Sequence, residues 1–398
     1  MPTTTQAPSH AIAAGGLPWL AAVLLACCGS AAAQTIDPGF TPGFDDTVRA
    51  IAVEADGRIL VGGQFNSAAG QVRPMLARLT TSGVLDASQP AMPNDRVRAI
   101  VVQADGRIVI GGEFDEVGGS AQPFVARLLA NGAPDPAFQS QVGNSALGVT
   151  DLAVQADGRI VVIGGFSTVS GQPRDRIARL GVNGAVDPGF VPPPLGSPID
   201  ALMLQPDGRV VIAGHFSDAS ADCESYCVLR LASNGTVDGS FAVTRVVGAV
   251  NHLVRQTDGR ILVAGNFGGL DDHDSFFIGR LNANGGADTG FSNTALRFSN
   301  ISRVVALPDQ RIIIGGEMRW GTGGASEDRL ARLTSGGARD TTFNEPVLNS
   351  MIVATALQAD NRLLVGGMFT QFGGLPRARL ARILVADLPD TVFTHGFE

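Results

Sequence analysis

The chain contains no lysine: all 29 of its basic residues are arginines, set against 37 acids for a net charge of −8. No stretch gathers that positive charge into a patch that could follow a phosphate backbone, which argues against a nucleic-acid partner. Aromatic rings other than phenylalanine are nearly missing, with two Trp and one Tyr in 398 residues. A sugar platform repeated around a molecule would want a repeated ring, so a protein ligand is preferred over a glycan. The one apolar run, Leu17 to Cys27, is far too short to serve as a permanent transmembrane anchor. Signature catalytic motifs are missing as well. There is no G-x-S-x-G, no H-E-x-x-H and no Walker phosphate loop, and the five histidines are isolated from one another.

Cysteine is scarce, and half of it sits near the N-terminus. The run Leu17 to Cys27 followed by GSAAAQ reads as a secretory leader, residues 1–33, cleaved after Ala33, although no Lys or Arg precedes it. An alternative is a bacterial lipoprotein signal in LLAC, with Cys27 as the lipidated residue and Leu25 a poor fit. Export leaves only Cys223 and Cys227, which an oxidising compartment would pair. Their bridge closes a very small loop and stabilises modestly. A metal site needs about four ligands, so this pair alone does not make one.

What the chain has in plenty is one phrase. ADGRILVGGQF, with its turn aspartate at Asp56, returns at Asp105, Asp157, Asp207, Asp258, Asp309 and Asp360, at intervals of 49 to 52 residues. A period near 50 indicates a propeller or a solenoid. Two apolar runs flank each Asp-Gly pair, the signal of a β-hairpin. With Asp56 and Gly57 as the turn, Val53 faces Leu60 and Ala52 faces Val61, making a sheet apolar on both faces that neighbours must cover. A third strand in ARL carries Arg78, Arg127, Arg179, Arg230, Arg280, Arg332 and Arg382. Eight residues after each lies an aspartate, and all but Asp86 open a D-x-x-F phrase, read as a short fourth strand with a buried Phe. The expected fold is all-β, a seven-bladed β-propeller with four antiparallel strands per blade, over residues 34–393, with a short tail at 394–398. The alternative, a β-solenoid, is disfavoured because its strands run parallel. An extra DPGF at Asp37 and DTVF at Asp390 compete to complete the seventh blade.

The succession DPGF, DGRILVGG, ARL and NG at a period near 51 resembles the bacterial delta-60 repeat family, over about nine tenths of the chain. Gln310 and Asn361 depart from it by replacing the turn glycine. The resemblance implies a propeller-like protein that is secreted or at the cell surface, with no established activity.

Repeated residues build a scaffold, and only unrepeated ones can make a unique site. The DGR residues, the ARL arginines and the D-x-x-F aspartates therefore read as turn residues and surface ion pairs. Two positions vary. Seven residues before each turn Asp stand Arg49, Arg98, Thr150, Asp200, Asn251, Ser302 and Val353; before the GGxF phenylalanine stand Gln64, Glu113, Gly165, His215, Asn266, Glu317 and Met368. With the first strand innermost, both sets ring one mouth of a central channel, and Arg49, Arg98, Asp200, Asn251, Gln64, Glu113, His215, Asn266 and Glu317 are the candidate ligand-binding residues. The loop Asp271, Asp272, His273, Asp274 offers oxygen and imidazole ligands for calcium, but consecutive residues cannot all point inward, so no metal is expected there. No other cofactor is indicated.

Turn Asp and third-strand Arg are always 22 or 23 residues apart. No long insertion roofs an active site. The reading is a binding scaffold for an extracellular protein or, second, a glycan. One alternative is an extracellular hydrolase or lyase with Glu113, Glu317 and His215 as acid and base; the other is a purely structural surface protein.

Overall fold

The computed structural model describes residues 36–143, 145, 147–216, 223, 226–293, 296–321 and 327–385. The leader reading with Cys27, most of the loop before Tyr226, Asp390 and the tail lie outside them. Among the described residues the regular elements are all strands.

The first repeat sets the pattern. An inner strand Val48–Val53 pairs with a middle strand Ile59–Gly63, which pairs with an outer strand Leu76–Leu79, all antiparallel. The inner strands of the later repeats are Val97–Val102, Val149–Val154, Ile199–Leu204, Thr244–Arg255, Leu296–Ala306 and Ile352–Leu357. Each lies against the next, and the seventh lies against the first. Five repeats form separate three-stranded sheets, whereas the fourth and fifth share six strands because Thr244 and Arg245 pair with Val228 and Cys227. Antiparallel pairing throughout is incompatible with the coils of a solenoid.

The hairpin register is one residue off the expected one. Val53 pairs with Ile59 and Ala52 with Leu60. The turn runs from Glu54 to Gly57, closed by Gly57 N–H on the Glu54 carbonyl at 2.9 Å, so only Gly57 needs a positive φ, at 85°. Asp56 is instead a capping residue whose Oδ1 accepts the Arg58 N–H at 3.1 Å. Gln310 and Asn361 take the glycine's left-handed conformation, with φ of 70° and 64°.

The D-x-x-F phrases are turns rather than strands, and among the described residues it is in the fourth repeat that the chain beyond one, at Thr244 and Arg245, runs on as a strand beside the outer one. Asp135 shows why the phrase turns. Its Oδ1 accepts the Ala137 N–H at 3.0 Å and its carbonyl accepts the Phe138 N–H at 3.1 Å, so the chain turns at once. What remains of pairing on the outer strand is a bridge such as Leu128 with Pro134.

The ion pairs of this phrase are buried rather than at the surface. Arg127 Nε donates to Asp135 Oδ2 at 2.8 Å, its guanidinium lies 4.9 Å from the Phe138 ring centre, and Nη1 donates to the Val182 carbonyl of the next repeat. Arg179 and Arg280 repeat all three contacts, with Asp187, Phe190 and Ser233, and with Asp288, Phe291 and Ser335. Arg78, whose following phrase lacks the Phe, turns instead to Glu54 at 2.9 Å. Removing one member of such a pair strands a buried charge, at a cost of about 3–5 kcal/mol.

In the seventh repeat the partner comes from the other end of the chain. Arg382 Nε donates to Asp37 at 2.9 Å and its guanidinium lies 4.3 Å from the ring centre of Phe40, while Ile36 bridges Ile383. Burial pushes the Asp37 carboxyl upward, but the Arg382 hydrogen bond and charge outweigh it and hold it below the ordinary value. The N-terminal DPGF thus occupies the slot for which DTVF at Asp390 also competes in sequence. Arg382 also reaches the Thr81 carbonyl of the first repeat.

The buried apolar residues fall into clusters shared by successive repeats. One of them packs Leu364 and Leu380 of the seventh repeat against Val48, Ile59 and Phe65 of the first. A middle-strand glycine paired with Val48 or its counterpart in each inner strand permits this closeness, preceded by a second glycine in the first, second, sixth and seventh repeats and by Ile163, Ala213 and Ala264 in the others. A Cβ on Gly62 would stand 2.6 Å from Val97 Cγ1 of the second repeat, and one on Gly63 would stand 2.1 Å from the Thr47 carbonyl oxygen.

Candidate functional site

The register of every inner strand slips at the same place. The irregularities fall between Val48 and Ala50, Val97 and Ala99, Val149 and Asp151, Ile199 and Ala201, Val250 and His252, Ile301 and Arg303, and Ile352 and Ala354. The residue skipped each time is the variable one: Arg49, Arg98, Thr150, Asp200, Asn251, Ser302 or Val353. Each is the extra residue of a β-bulge, freed from the ladder and re-aimed. This explains why the position tolerates any chemistry.

Five of the seven, Arg49, Arg98, Thr150, Asp200 and Asn251, line one cavity of about 500 Å³ bordered by all seven inner strands. The second expected ring stands beside this cavity and does not line it. Gln64 accepts from Arg49 Nη2 at 2.9 Å, and Glu113 accepts from Arg98 Nε at 2.8 Å. His215 packs edge-on against Tyr226, with ring centres 5.3 Å apart. Asn266 and Glu317 are exposed, paired across the ladder with Ala249 and Asn300. Asn251 donates to Asn300 Oδ1 at 2.7 Å rather than to its own middle strand.

The residues that sequence reasoning missed are one step further along each inner strand. Four repeats place alanine there: Ala50, Ala99, Ala201 and Ala354. The third, fifth and sixth place Asp151, His252 and Arg303, all in the cavity wall. The signal was available as three charged or titratable departures from an alanine column. It was overlooked because strict alternation, which the bulge breaks, assigns that column to the sheet interior.

The electrostatics are unusual for a surface. Burial pushes the Asp151 carboxyl up to about 6, against the Leu152 N–H bond at 2.8 Å and the charge of Arg303. Burial also drives His252 down to about 3, helped by Arg303, so its imidazole is neutral. Its Nδ1 accepts the Val304 N–H at 3.3 Å, which leaves the proton on Nε2. At the mouth, loss of water raises Asp200 to about 6 in spite of the nearby His215. Arg49 is lowered by burial and by the neighbouring Arg98 and Arg96.

The acidic loop is arranged differently. Asp271 Oδ1 accepts the Arg245 N–H at 2.8 Å, Asp272 lies 3.6 Å from the Arg245 guanidinium, and His273 and Asp274 are exposed. Among the described residues no group of three potential ligands converges on a metal position. Cys223 and Cys227 are buried and joined as a disulfide. Among the described residues no helix is long and apolar enough to cross a membrane.

A ring of short antiparallel sheets around an axial cavity is the arrangement of a β-propeller. Segments 54–88, 103–138, 155–190, 205–241, 256–291, 307–343 and 358–391 match the family described as Domain of unknown function (DUF5122) beta-propeller, and the chain belongs to that family. No curated protein sequence matches it. Among solved structures it is similar to the WD40 beta propeller domain of Doa1, at 13% identity and a TM-score of 0.54, over 86% of this chain and 94% of that one. It is also similar to virginiamycin B lyase from Staphylococcus aureus, at 11% identity and a TM-score of 0.56, over 86% of this chain and 97% of the other. At these identities the likeness concerns the fold.

Proposed function

We propose that the seven repeats are the blades of one closed propeller of the delta-60 kind, with each D-x-x-F turn standing where a fourth strand would run. We further infer that the protein is an exported, non-enzymatic scaffold that binds a protein partner through the face onto which the bulges open. The observation that carries this reading is the bulge itself. Seven repeats keep their turns, that middle-strand glycine and their buried arginine alike, yet the residue they free at one register position ranges over Arg, Thr, Asp, Asn, Ser and Val. A purely structural array has no use for that variation. The carboxylates proposed for an acid–base alternative support it less: Glu113 is paired with Arg98, and Glu317 stands outside the cavity wall. The disulfide between Cys223 and Cys227 supports export to an oxidising compartment.

The test is proximity labelling of the exported fraction by the full chain and by a variant carrying Arg49→Ala and Asp200→Ala. Both substitutions lie on bulges, where no ladder pairing is lost. The expected result is one set of partners enriched by the unmodified chain and lost from the variant. Identical partner sets for both proteins would overturn the reading.

A further inference from the structure

Asp151 and Arg303 are charged groups that the fold does not need. Four of the seven repeats carry alanine at their register position, so the architecture is complete without them. Neither finds an opposite charge within salt-bridge distance among the described residues: Asp151 accepts only the Leu152 N–H, and Arg303 Nη1 donates to the Ser302 carbonyl at 2.7 Å. Both stand in the wall of the same cavity, as does the neutral His252. Asp151 and Arg303 are half-buried in that wall; partly desolvated charges without a partner are costly, and they persist where a ligand or function uses them.

The charges are sorted by position. The third and fourth repeats supply the acids Asp151 and Asp200. The fifth and sixth supply donors, the His252 Nε2–H and the Arg303 guanidinium. Arg98 is already neutralised by Glu113. The third and fourth repeats therefore accept, and the fifth, sixth and first donate, the last through Arg49 beside Gln64, while Leu152, Leu202 and Ile100 add apolar wall. A cavity of about 500 Å³ lies within the range of small-molecule sites.

We propose that the axial cavity binds a small zwitterion, a free amino acid or dipeptide with an apolar side chain. Its ammonium is held by Asp151 and Asp200, and its carboxylate by Arg303 and the His252 Nε2–H. A neutral ligand with two separated poles matches a run of acids followed along the wall by a run of donors, whereas a simple anion or cation satisfies one and leaves the other bare. The proposal rests on the reading of this face as a binding surface. It concerns a different ligand, however, and the purified chain answers it with no protein partner present.

The experiment is calorimetric titration of purified residues 34–398 with L-leucine, leucylglycine, sodium acetate and methylammonium chloride, repeated on D151A and R303A. These variants restore the alanine that other repeats carry, so they are expected to fold with an unfolding midpoint equal to or above that of the unmodified chain. A saturable heat is expected for L-leucine or leucylglycine and none for acetate or methylammonium. Each substitution is expected to weaken binding by about tenfold or more, the effect of losing one charge-assisted contact. D151N and R303Q serve as second variants should an alanine variant fail to fold. The proposal is overturned if neither zwitterion binds, if acetate or methylammonium binds as tightly as L-leucine, or if the folded variants bind as the unmodified chain does.

Discussion

Phe40 offers the sharpest test of how the two ends of the chain are joined. Its ring is fully buried, lies 4.3 Å from the Arg382 guanidinium and covers Gly83, whose Cβ position is 2.7 Å from the ring. Truncating a buried phenylalanine costs about 3–5 kcal/mol through lost transfer energy and the cavity left behind. The cation–π contact contributes about 1 kcal/mol of the same loss. Phe40→Ala should therefore lower the unfolding free energy by about 4 kcal/mol, a large share of the roughly 5–15 kcal/mol typical of a folded domain. Phe138→Ala is the internal control. Phe138 is equally buried and sits 4.9 Å from Arg127, but within one continuous stretch of chain. Urea titration followed by Trp320 fluorescence compares the two variants with the unmodified protein. Equal losses mean that the N-terminal segment is as firmly part of the seventh repeat as Phe138 is of the second. A loss below about 1 kcal/mol for Phe40→Ala beside a normal loss for Phe138→Ala would refute the joining of the ends.

Two further outcomes follow from single residues. Gly63→Ala places a methyl 2.1 Å from the Thr47 carbonyl oxygen, a backbone atom that cannot swing aside, and should cost about 3 kcal/mol or more. Gly70→Ala meets nothing within 4 Å and bears only the strain of φ +74°, about 1 kcal/mol, so thermal midpoints that fail to separate the two would contradict the packing described. Asp151 has a folded pKa of about 6, above its ordinary 3.8, so the folded state holds a proton that the unfolded state lacks between those values. Its contribution is then most favourable at low pH and is lost as pH rises through that window. Asp151→Ala should match the unmodified chain near pH 4 and exceed it by about 1–3 kcal/mol near pH 7.5, the upper limit being about 1.4 kcal/mol per pH unit. A difference independent of pH in urea unfolding would show that Asp151 is not desolvated.

The repeat, its hairpin and its middle-strand glycine were legible in the sequence because they depend on local chemistry: Asp-Gly for a turn, glycine where a neighbouring backbone leaves no room. The exact register was not, since a four-residue turn from Glu54 to Gly57 and a two-residue turn at Asp56 use the same letters. The D-x-x-F phrase itself is a turn for a local reason too, because the Asp135 carboxylate captures the Ala137 N–H and bends the segment. The depth of the arginine–aspartate pairs depends on the neighbouring repeat, whose carbonyls they reach. At the candidate site, variation along the chain pointed to Arg49, Arg98, Asp200 and Asn251. The bulge that aims them is a backbone event with no residue signature, and overlooking it also concealed Asp151, His252 and Arg303.

The contact between Asp37 and Arg382 spans 345 residues of sequence, while Arg127 finds Asp135 only eight residues away. During synthesis the DPGF segment emerges before any repeat and waits, without its arginine, until the seventh repeat has been made. Six repeats can complete their own buried pairs as they appear, the first through Arg78 and Glu54, but the seventh cannot. The final event of folding is therefore expected to be a long-range docking step, slower than any hairpin before it. The same arrangement makes the protein a natural subject for circular permutation. Joining the ends and opening the chain after Gly132, between Arg127 and Asp135, would let the seventh repeat finish locally and hand the late step to the second.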